Sequence, residues 1–326
     1  MTDAFLLLTP FVLLGLLAVL GFIGCRFRPG AAVVSAPTNL KAVPGDTWVK
    51  LSWDSYANAT GFTLHRGTVS GNYSTTFDIG GSATSFLDAP VTNGTPLFYA
   101  LTVTTVDGTS GDSNEAQVTP ASIDFVQLIQ KDVTVAGNSV TSNPFTNPVT
   151  QGNMIVVWIW YKVAAPGQVS AVTDSANNIY TGPIVGPTAG AGALAGFQQE
   201  LWYAQNVTAG TGVTVTANFS AATTERAVSA HEYSGANPSG SFVNTPVVMT
   251  GNSANATIGP LDTGDARMIF AAALFPTQGA AGPDFNSRST LRGNSTEDRR
   301  VTLPGSFNAD FTNTVQDWLA QMVTFK

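Results

Sequence analysis

Apolar positions along the chain follow two regimes. The first is one unbroken run, Phe5 to Gly24, FLLLTPFVLLGLLAVLGFIG, twenty residues without a charge. That length matches what an α-helix needs to cross a ~30 Å hydrocarbon core. From Ala36 onward the chain changes to short stretches in which apolar and polar residues alternate, each bounded by Gly, Asn, Asp or Pro. A period of two with such boundaries predicts strands. Leu40, Trp48, Val49, Leu51 and Trp53 carry the first signals, Phe62, Leu64 and Arg66 the next, and Tyr99, Leu101 and Val103 a later one. Beyond Ser122 the segments DFVQLIQKDVTV, NMIVVWIWYKV, QQELWYAQNV, GVTVTANF, ERAVSAHEYS, ARMIFAAALF and DWLAQMVTF read as strands. No helical stretch stands among them.

The leading apolar run can be read three ways. A cleaved signal peptide has a basic start and a shorter apolar core, whereas Met1-Thr-Asp-Ala4 carries no Lys or Arg. Phe22-Ile23-Gly24-Cys25 resembles a lipobox, which makes Cys25, the single cysteine, a candidate lipidation site. An uncleaved transmembrane helix fits best, because a membrane helix tolerates a residue such as Pro10. Arg26 and Arg28 follow the run and only Asp3 precedes it, a bias that points the remainder inward. The composition of that remainder points outward. The expected organisation is an anchor or signal segment at 1–28, a small-residue linker at 29–35, and domains at 36–120 and 122–326.

Two stretches carry resemblances. APTNLKAVPGDTWVKLSW, TGFTLHRGTVSGNY, FYALTVTTVDG and SGDSN resemble a fibronectin type III module across 36–120. That resemblance implies a β-sandwich with Trp53 under the core, Tyr99 anchoring a corner, and Leu87 as the core leucine before it. GNMIVVWIW, VTDSANNIY, QELWYAQNVTAGTGVTVT and HEYSG are similar to a β-sandwich domain of bacterial extracellular proteins that has no assigned activity. About eight to ten strands over that region suit a two-sheet jelly roll. The expected fold class is therefore all-β: an N-terminal transmembrane helix, a fibronectin type III sandwich, and a larger jelly-roll-like two-sheet sandwich. PTAGAGALAG, residues 187–196, reads as a flexible surface loop.

Composition sharpens the picture in two places. Only 11% of residues are charged and the net charge is −7, which argues against nucleic acid as a partner, since phosphates need a basic stripe. One cysteine excludes an intramolecular disulfide framework, so stability rests on burial.

Candidate chemistry is sparse. The two histidines, His65 and His231, sit inside strand patterns, and no Gly-x-Ser-x-Gly elbow accompanies them. Zinc lacks a ligand set. Asp174, Asn177 and Asn178 put several oxygens into one turn, as calcium requires, although the same residues also make ordinary turns. No other cofactor is implied. Tyr161, Tyr180 and Trp202 are candidates to contact sugar rings, with Tyr161 and Tyr180 expected to be exposed. Trp158 and Trp160 alternate with Met154 and Val156, which predicts core. Arg292 and Arg299, with Arg288 and Arg300 close by in sequence, could dock an anionic glycan through guanidinium forks.

These features lead first to a non-catalytic, membrane-anchored cell-surface protein that presents a β-sandwich for adhesion or recognition, of glycans or of protein, with the fibronectin-like module as a spacer. Two alternatives stay open. One is a self-associating subunit of a surface layer, filament or appendage. The other is a carbohydrate-active enzyme or its accessory module.

Overall fold

A computed structural model describes residues 33–163, 168–243 and 245–326. Its first unit contains β1 (Lys41–Pro44), β2 (Val49–Ser52), β3 (Gly61–Gly67), β4 (Thr75–Gly80), β5 (Ser85–Asp88), β6 (Leu97–Thr105), β7 (Gly108–Thr109) and β8 (Ala116–Val118). One sheet runs β1-β2-β5; the other runs β4-β3-β6-β7, with β8 also on β6. This is a fibronectin type III-like sandwich. Alternate residues of a strand share a face, so Val49, Leu51 and Trp53 meet Phe62, Leu64, Tyr99, Leu101 and Val103 in one core. Each such side chain contributes about 1.5–3 kcal/mol by leaving water.

Tyr99 Oη donates to Asp88 Oδ2 at 2.7 Å, and Arg66 Nη1 donates to both Asp88 oxygens at 2.8 Å. These bonds close the corner between β5 and β6. Leu87 departs from expectation: it is 41% exposed, because on β5 the inward positions fall to Phe86 and Asp88.

The second unit contains β9 (Asp124–Val133), β10 (Gly137–Thr141), β11 (Met154–Lys162), β12 (Val169–Asp174), β13 (Thr181–Ala189), β14 (Phe197–Ala204) and β15 (Val215–Thr223). It continues through β16 (Arg226–Ser234), β17 (Val247–Asp262), β18 (Met268–Leu274), β19 (Gly279–Ala281), β20 (Asn286–Ser289), β21 (Ser295–Arg300) and β22 (Ser306–Phe325). The sheets run β10-β15-β12, β13-β14-β11-β16-β9 and β17-β22-β18-β21-β20, with β19 added against β22.

The expected fold class is corrected on two counts. Among the described residues no helix is long and apolar enough to cross a membrane, so an anchor helix is no part of the described fold. The run Phe5–Gly24 and Cys25 lie outside the described residues. The second correction concerns the larger unit, which stacks three sheets instead of two. Strand β11 shows why. Every residue from Met154 to Tyr161 is buried, because both faces of its sheet are covered. Met154, Val156, Trp158 and Trp160 pack with Met268, Phe270, Ala272 and Leu274 of β18. Ile155, Val157, Ile159 and Tyr161 pack the other way, with Val172, Val215, Ala217 and Phe219 of the small outer sheet.

The third sheet folds back on itself. β17 and β22 pair across two register shifts. Ile258, Ala309 and Phe311 from their distal halves close over Ile269, Ala271 and Ala273 of β18. Gly279–Ala281 pairs with Phe311–Asn313 to seal the turn.

The fibronectin-like unit is docked onto this stack and not strung from it. Trp48 points away from its own core, yet it is fully buried, and its Nε1 donates to the carbonyl of Val301 at 3.4 Å. Lys50 pairs with Asp265 at 3.0 Å. Buried Arg267 donates through Nη1 to the carbonyl of Ala121 at 3.0 Å and through Nη2 to Asn237 Oδ1 at 2.7 Å. A swinging spacer would leave these groups in water.

Candidate functional site

The residues singled out in the sequence scatter over the molecule. Tyr161 is buried, not exposed: its hydroxyl donates to Glu200 Oε1 at 2.6 Å, while Trp202 Nε1 donates to Glu200 Oε2 at 3.1 Å. Burial raises the Glu200 carboxyl above its ordinary value. This trio braces the interior between the middle and outer sheets. Tyr180 is half-buried, and its hydroxyl donates to Asp174 Oδ2 at 3.0 Å. Trp158, Trp160 and Trp202 are all buried, on two different faces, so they make no flat aromatic platform.

At the calcium candidate, Asp174 Oδ1 accepts the backbone N–H groups of Ala176 and Asn178 at 3.0 and 2.9 Å. Its Oδ2 accepts Asn178 Nδ2 at 2.8 Å and the Tyr180 hydroxyl. Asn177 takes the left-handed conformation at φ 60°, and Asn178 Oδ1 accepts the backbone N–H of Thr208 at 2.7 Å. The carboxylate is thus surrounded by donors, the arrangement of a tied Asx turn. Among the described residues no group of three or more His, Cys, Asp or Glu is placed to hold a metal.

The arginines also part company. Arg288 forks onto buried Asp298 at 2.6 and 2.8 Å. Arg299 lies over the rings of Phe307 and Phe285 and faces Asp284 at 3.7 Å. Arg300 turns to Asp46 of the fibronectin-like unit. Arg292 alone reaches a cleft.

That cleft, about 170 Å³, opens where the middle and third sheets end. β11 sends Trp160 toward the third sheet just before the strand finishes, and Phe197 opens β14 beside it, the ring centroids 6.2 Å apart. Leu274, Phe275 and Pro276 form the opposite wall. Ala193 and Leu194 form the roof, in a 3-10 turn at Gly192–Leu194. The run 187–196, expected as a flexible loop, is tied here. Asp317 Oδ2 accepts the backbone N–H of Ala193 at 2.6 Å, Asp317 Oδ1 accepts Asn252 Nδ2 at 2.7 Å, and Leu194 is buried in the core. The Ala193 N–H leads in holding the Asp317 carboxyl below its ordinary value.

Polar groups complete the cleft. Trp160 is 2% exposed; its Nε1, closed off from the cleft, has no hydrogen-bond partner among the described residues. A buried donor left unpaired costs about 1–3 kcal/mol and needs a reason. Asn294 Oδ1 accepts the backbone N–H of Phe275 at 2.8 Å, leaving its amide nitrogen available. On the rim Arg292 sits 3.6 Å from both Asp132 and Glu225, and Lys162 reaches Glu225 at 3.4 Å while lying over the Phe197 ring. Two cations therefore face two carboxylates. Sequence reading found Arg292 and placed Trp160 in the core, where it lies; that its ring also edges a cleft depends on where the neighbouring sheet ends, which the strand's own pattern does not show.

His231 plays no part in the cleft. It is fully buried, with Nε2 2.9 Å from Thr296 Oγ1, Nδ1 3.4 Å from the carbonyl of Val156, and the ring edge-on to Phe270. Burial pushes it down to about 3, so it stays neutral.

Comparison with known proteins gives short matches. No family model matches the chain. It is 29% identical over 140 residues to an amylopullulanase of Thermoanaerobacterium thermosulfurigenes, covering 39% of this chain and 8% of that one. It is 36% identical over 85 residues to an amylopullulanase of Thermoanaerobacter thermohydrosulfuricus, covering 26% of this chain and 6% of that one. The chain thus spans less than a tenth of the length of these curated relatives. Fibronectin type III-like domains are among its structural neighbours. A fibronectin type III-like protein from Clostridium thermocellum is 26% identical, covering 27% of this chain and 94% of that one, at a TM-score of 0.25.

Proposed function

We propose that this chain is a non-catalytic accessory module for polysaccharides, working outside the cytoplasm, in which the three-layered unit recognises glycan and the docked fibronectin-like unit braces it. The observation that carries the reading is the cleft at Trp160, where the aromatic walls of Trp160, Phe197 and Phe275 meet the Asn294 amide and the charged groups of Arg292 and Glu225. Sugar rings present apolar C–H faces and hydroxyl edges, and sites for small polar ligands combine apolar walls with a few placed polar groups. The partial likeness to amylopullulanases, enzymes named for amylo- and pullulan polysaccharides, supports the same ligand class. The non-catalytic part of the reading is supported by the enclosure of His231 and by the saturated bonding of Asp174.

Retention of the full-length chain on pullulan, starch and cell-wall polysaccharide, with sugar release assayed in the same tubes, tests the reading. Retention on at least one polymer without new reducing ends is expected. No retention on any polymer, or steady hydrolysis, would overturn it.

A further inference from the structure

We infer that the outer edge of β17, from Val247 to Ser253, pairs antiparallel with the same segment of a second copy of this chain, joining two third sheets across a two-fold axis. The inference is independent of the polysaccharide reading above and needs nothing bound in the cleft.

Three observations select this partner. The first is that the edge is unguarded. Proteins protect sheet edges with charged side chains, prolines, bulges or very short strands. The edge strands β1, β4, β5, β9, β12 and β20 each carry a charged residue. β13 carries Pro183 and two register shifts, and β10 is interrupted between Gly137 and Ser139. β7, β8 and β19 are two or three residues long. β17 ends the strand order of its sheet, so its second edge meets no strand among the described residues. Its distal half is guarded by register shifts after Ser253 and Ile258 and by Pro260. Val247–Ser253 has no such guard: it runs unbroken along β22 from Val247↔Met322 to Ser253↔Gln316 and contains no charge.

The second is that the segment matches itself. In an antiparallel pair centred on Thr250, Val247 stands opposite Ser253, Val248 opposite Asn252, Met249 opposite Gly251, and Thr250 opposite its own copy. Residues directly opposite share a face. Met249, 39% exposed, therefore meets the one position of the segment that has no side chain. Gly251 lies against the Trp318 ring, which a Cβ there would strike. The partner's Met249 is thus brought over an indole, and sulfur–aromatic contacts are favourable. Symmetry makes two such contacts, one on each side of the paired threonines.

The third is charge and length. Self-pairing sets each residue near its own copy, which any charge on the strand would oppose, and this segment has none. Asp317, across from Asn252 on β22, lies one strand back and is already held by Asn252 Nδ2 and the Ala193 N–H. A ladder over Val247–Ser253 at ~3.4 Å per residue extends about 24 Å. Such a strip covers less than the ~800 Å² per partner of a standard interface. The dimer is accordingly weak, with a dissociation constant on the order of 10–100 µM.

No other described edge is equally open, so each copy contributes the same strand. An interface made of the same patch on both subunits is isologous and closes on itself. Association therefore stops at two copies; a filament or layer would need a second, different edge.

The test is sedimentation velocity of the full-length chain across about 1–200 µM, a range that brackets the expected association, with a non-ionic detergent present to keep the apolar run Phe5–Gly24 from associating. A monomer–dimer equilibrium insensitive to added salt is expected, as an uncharged joint requires. Thr250 is exposed and lysine suits a sheet edge, so Thr250→Lys keeps the fold, which its melting curve checks. It sets two like charges at the axis and is expected to weaken the dimer at least about tenfold. In a Cys25→Ser background, Thr250→Cys is expected to give a disulfide-linked dimer on mild oxidation, because opposed Cα atoms ~4.5–5.5 Å apart lie within disulfide reach. Val106→Cys, at an 85% exposed residue of the fibronectin-like unit, is expected to stay monomeric. A chain that is monomeric throughout overturns the inference, as does a dimer that Thr250→Lys leaves intact, or equal cross-linking from the two cysteine positions. Growth beyond two copies that Thr250→Lys abolishes overturns the closed arrangement.

Discussion

Arg300 of the third sheet and Asp46 of the fibronectin-like unit, 254 positions apart, form a two-pronged ion pair, Nε to Oδ2 at 2.7 Å and Nη2 to Oδ1 at 2.8 Å. Asp46 is wholly buried and also accepts Asn93 Nδ2 at 2.7 Å. Parallel guanidinium–carboxylate bonds fix orientation as well as distance. With Trp48 seated against Val301, they make the junction a fixed joint.

Breaking that joint is expected to uncouple the two units. Arg300→Ala takes the cation from a buried carboxylate that keeps only Asn93 as a side-chain donor among the described residues. Because the guanidinium itself is half-exposed, the cost is expected at about 1–3 kcal/mol, below that of a fully buried pair. A single calorimetric transition in the wild type should split into two in the variant. Trp48→Ala should do the same through the cavity it leaves, at about 3–5 kcal/mol. A variant that still melts in one step at the wild-type temperature would refute the fixed joint.

Stability is expected to plateau at mildly acidic pH, for two opposed reasons. Burial pushes the Glu297 carboxyl from 4.5 up to about 8; one oxygen accepts the Gly282 N–H at 2.9 Å and the other has no partner among the described residues. The folded state holds that proton more tightly than the unfolded chain does, so stability is complete below 4.5 and falls as pH rises to about 8. His231, pushed from 6.5 down to about 3, acts the other way: its stability is complete above 6.5 and falls as pH drops. Between 4.5 and 6.5 the slopes cancel. Outside that window stability should decline by at most about 1.4 kcal/mol per pH unit on each side. Denaturant titrations across pH measure this, and Glu297→Gln should remove the alkaline decline alone.

Glu232 is expected to be among the most sensitive single positions. It is fully buried and accepts the Thr150 N–H at 2.9 Å, Asn153 Nδ2 at 2.7 Å and Gln127 Nε2 at 2.6 Å. These bonds stitch the approach to β11 onto β9 and β16. Glu232→Ala orphans three donors and should cost about 3 kcal/mol or more in urea unfolding. Glu232→Gln keeps one acceptor and should cost less.

The Asp174 turn is expected to be indifferent to calcium. Its carboxylate already accepts from Ala176, Asn178 and Tyr180, and a cation would have to displace those donors. Millimolar calcium should leave the melting temperature unmoved, while Asp174→Ala lowers stability by about 1–2 kcal/mol. A clear upward shift with calcium would contradict this account.

Strand character was legible from the residues alone wherever alternation was strong. Val49, Leu51 and Trp53 met the core of the first sandwich, and the Tyr99 corner formed, because a two-residue period assigns faces locally. The weaker strands, such as β17 with its run of Gly, Asn, Ser and Ala, escaped because their pairing comes from partners far along the chain and not from their own pattern. Most of the candidate site escaped for the same reason. Alternation says that Trp160 shares a face with Trp158, but not that the covering sheet stops beside Trp160, whose indole N–H has no partner among the described residues. Nor can it say that Trp48, on the outer face of its own sandwich, is covered by Val301. A sequence states which side chains point together; only the tertiary structure decides what each face meets, because that depends on contacts between residues up to 254 positions apart.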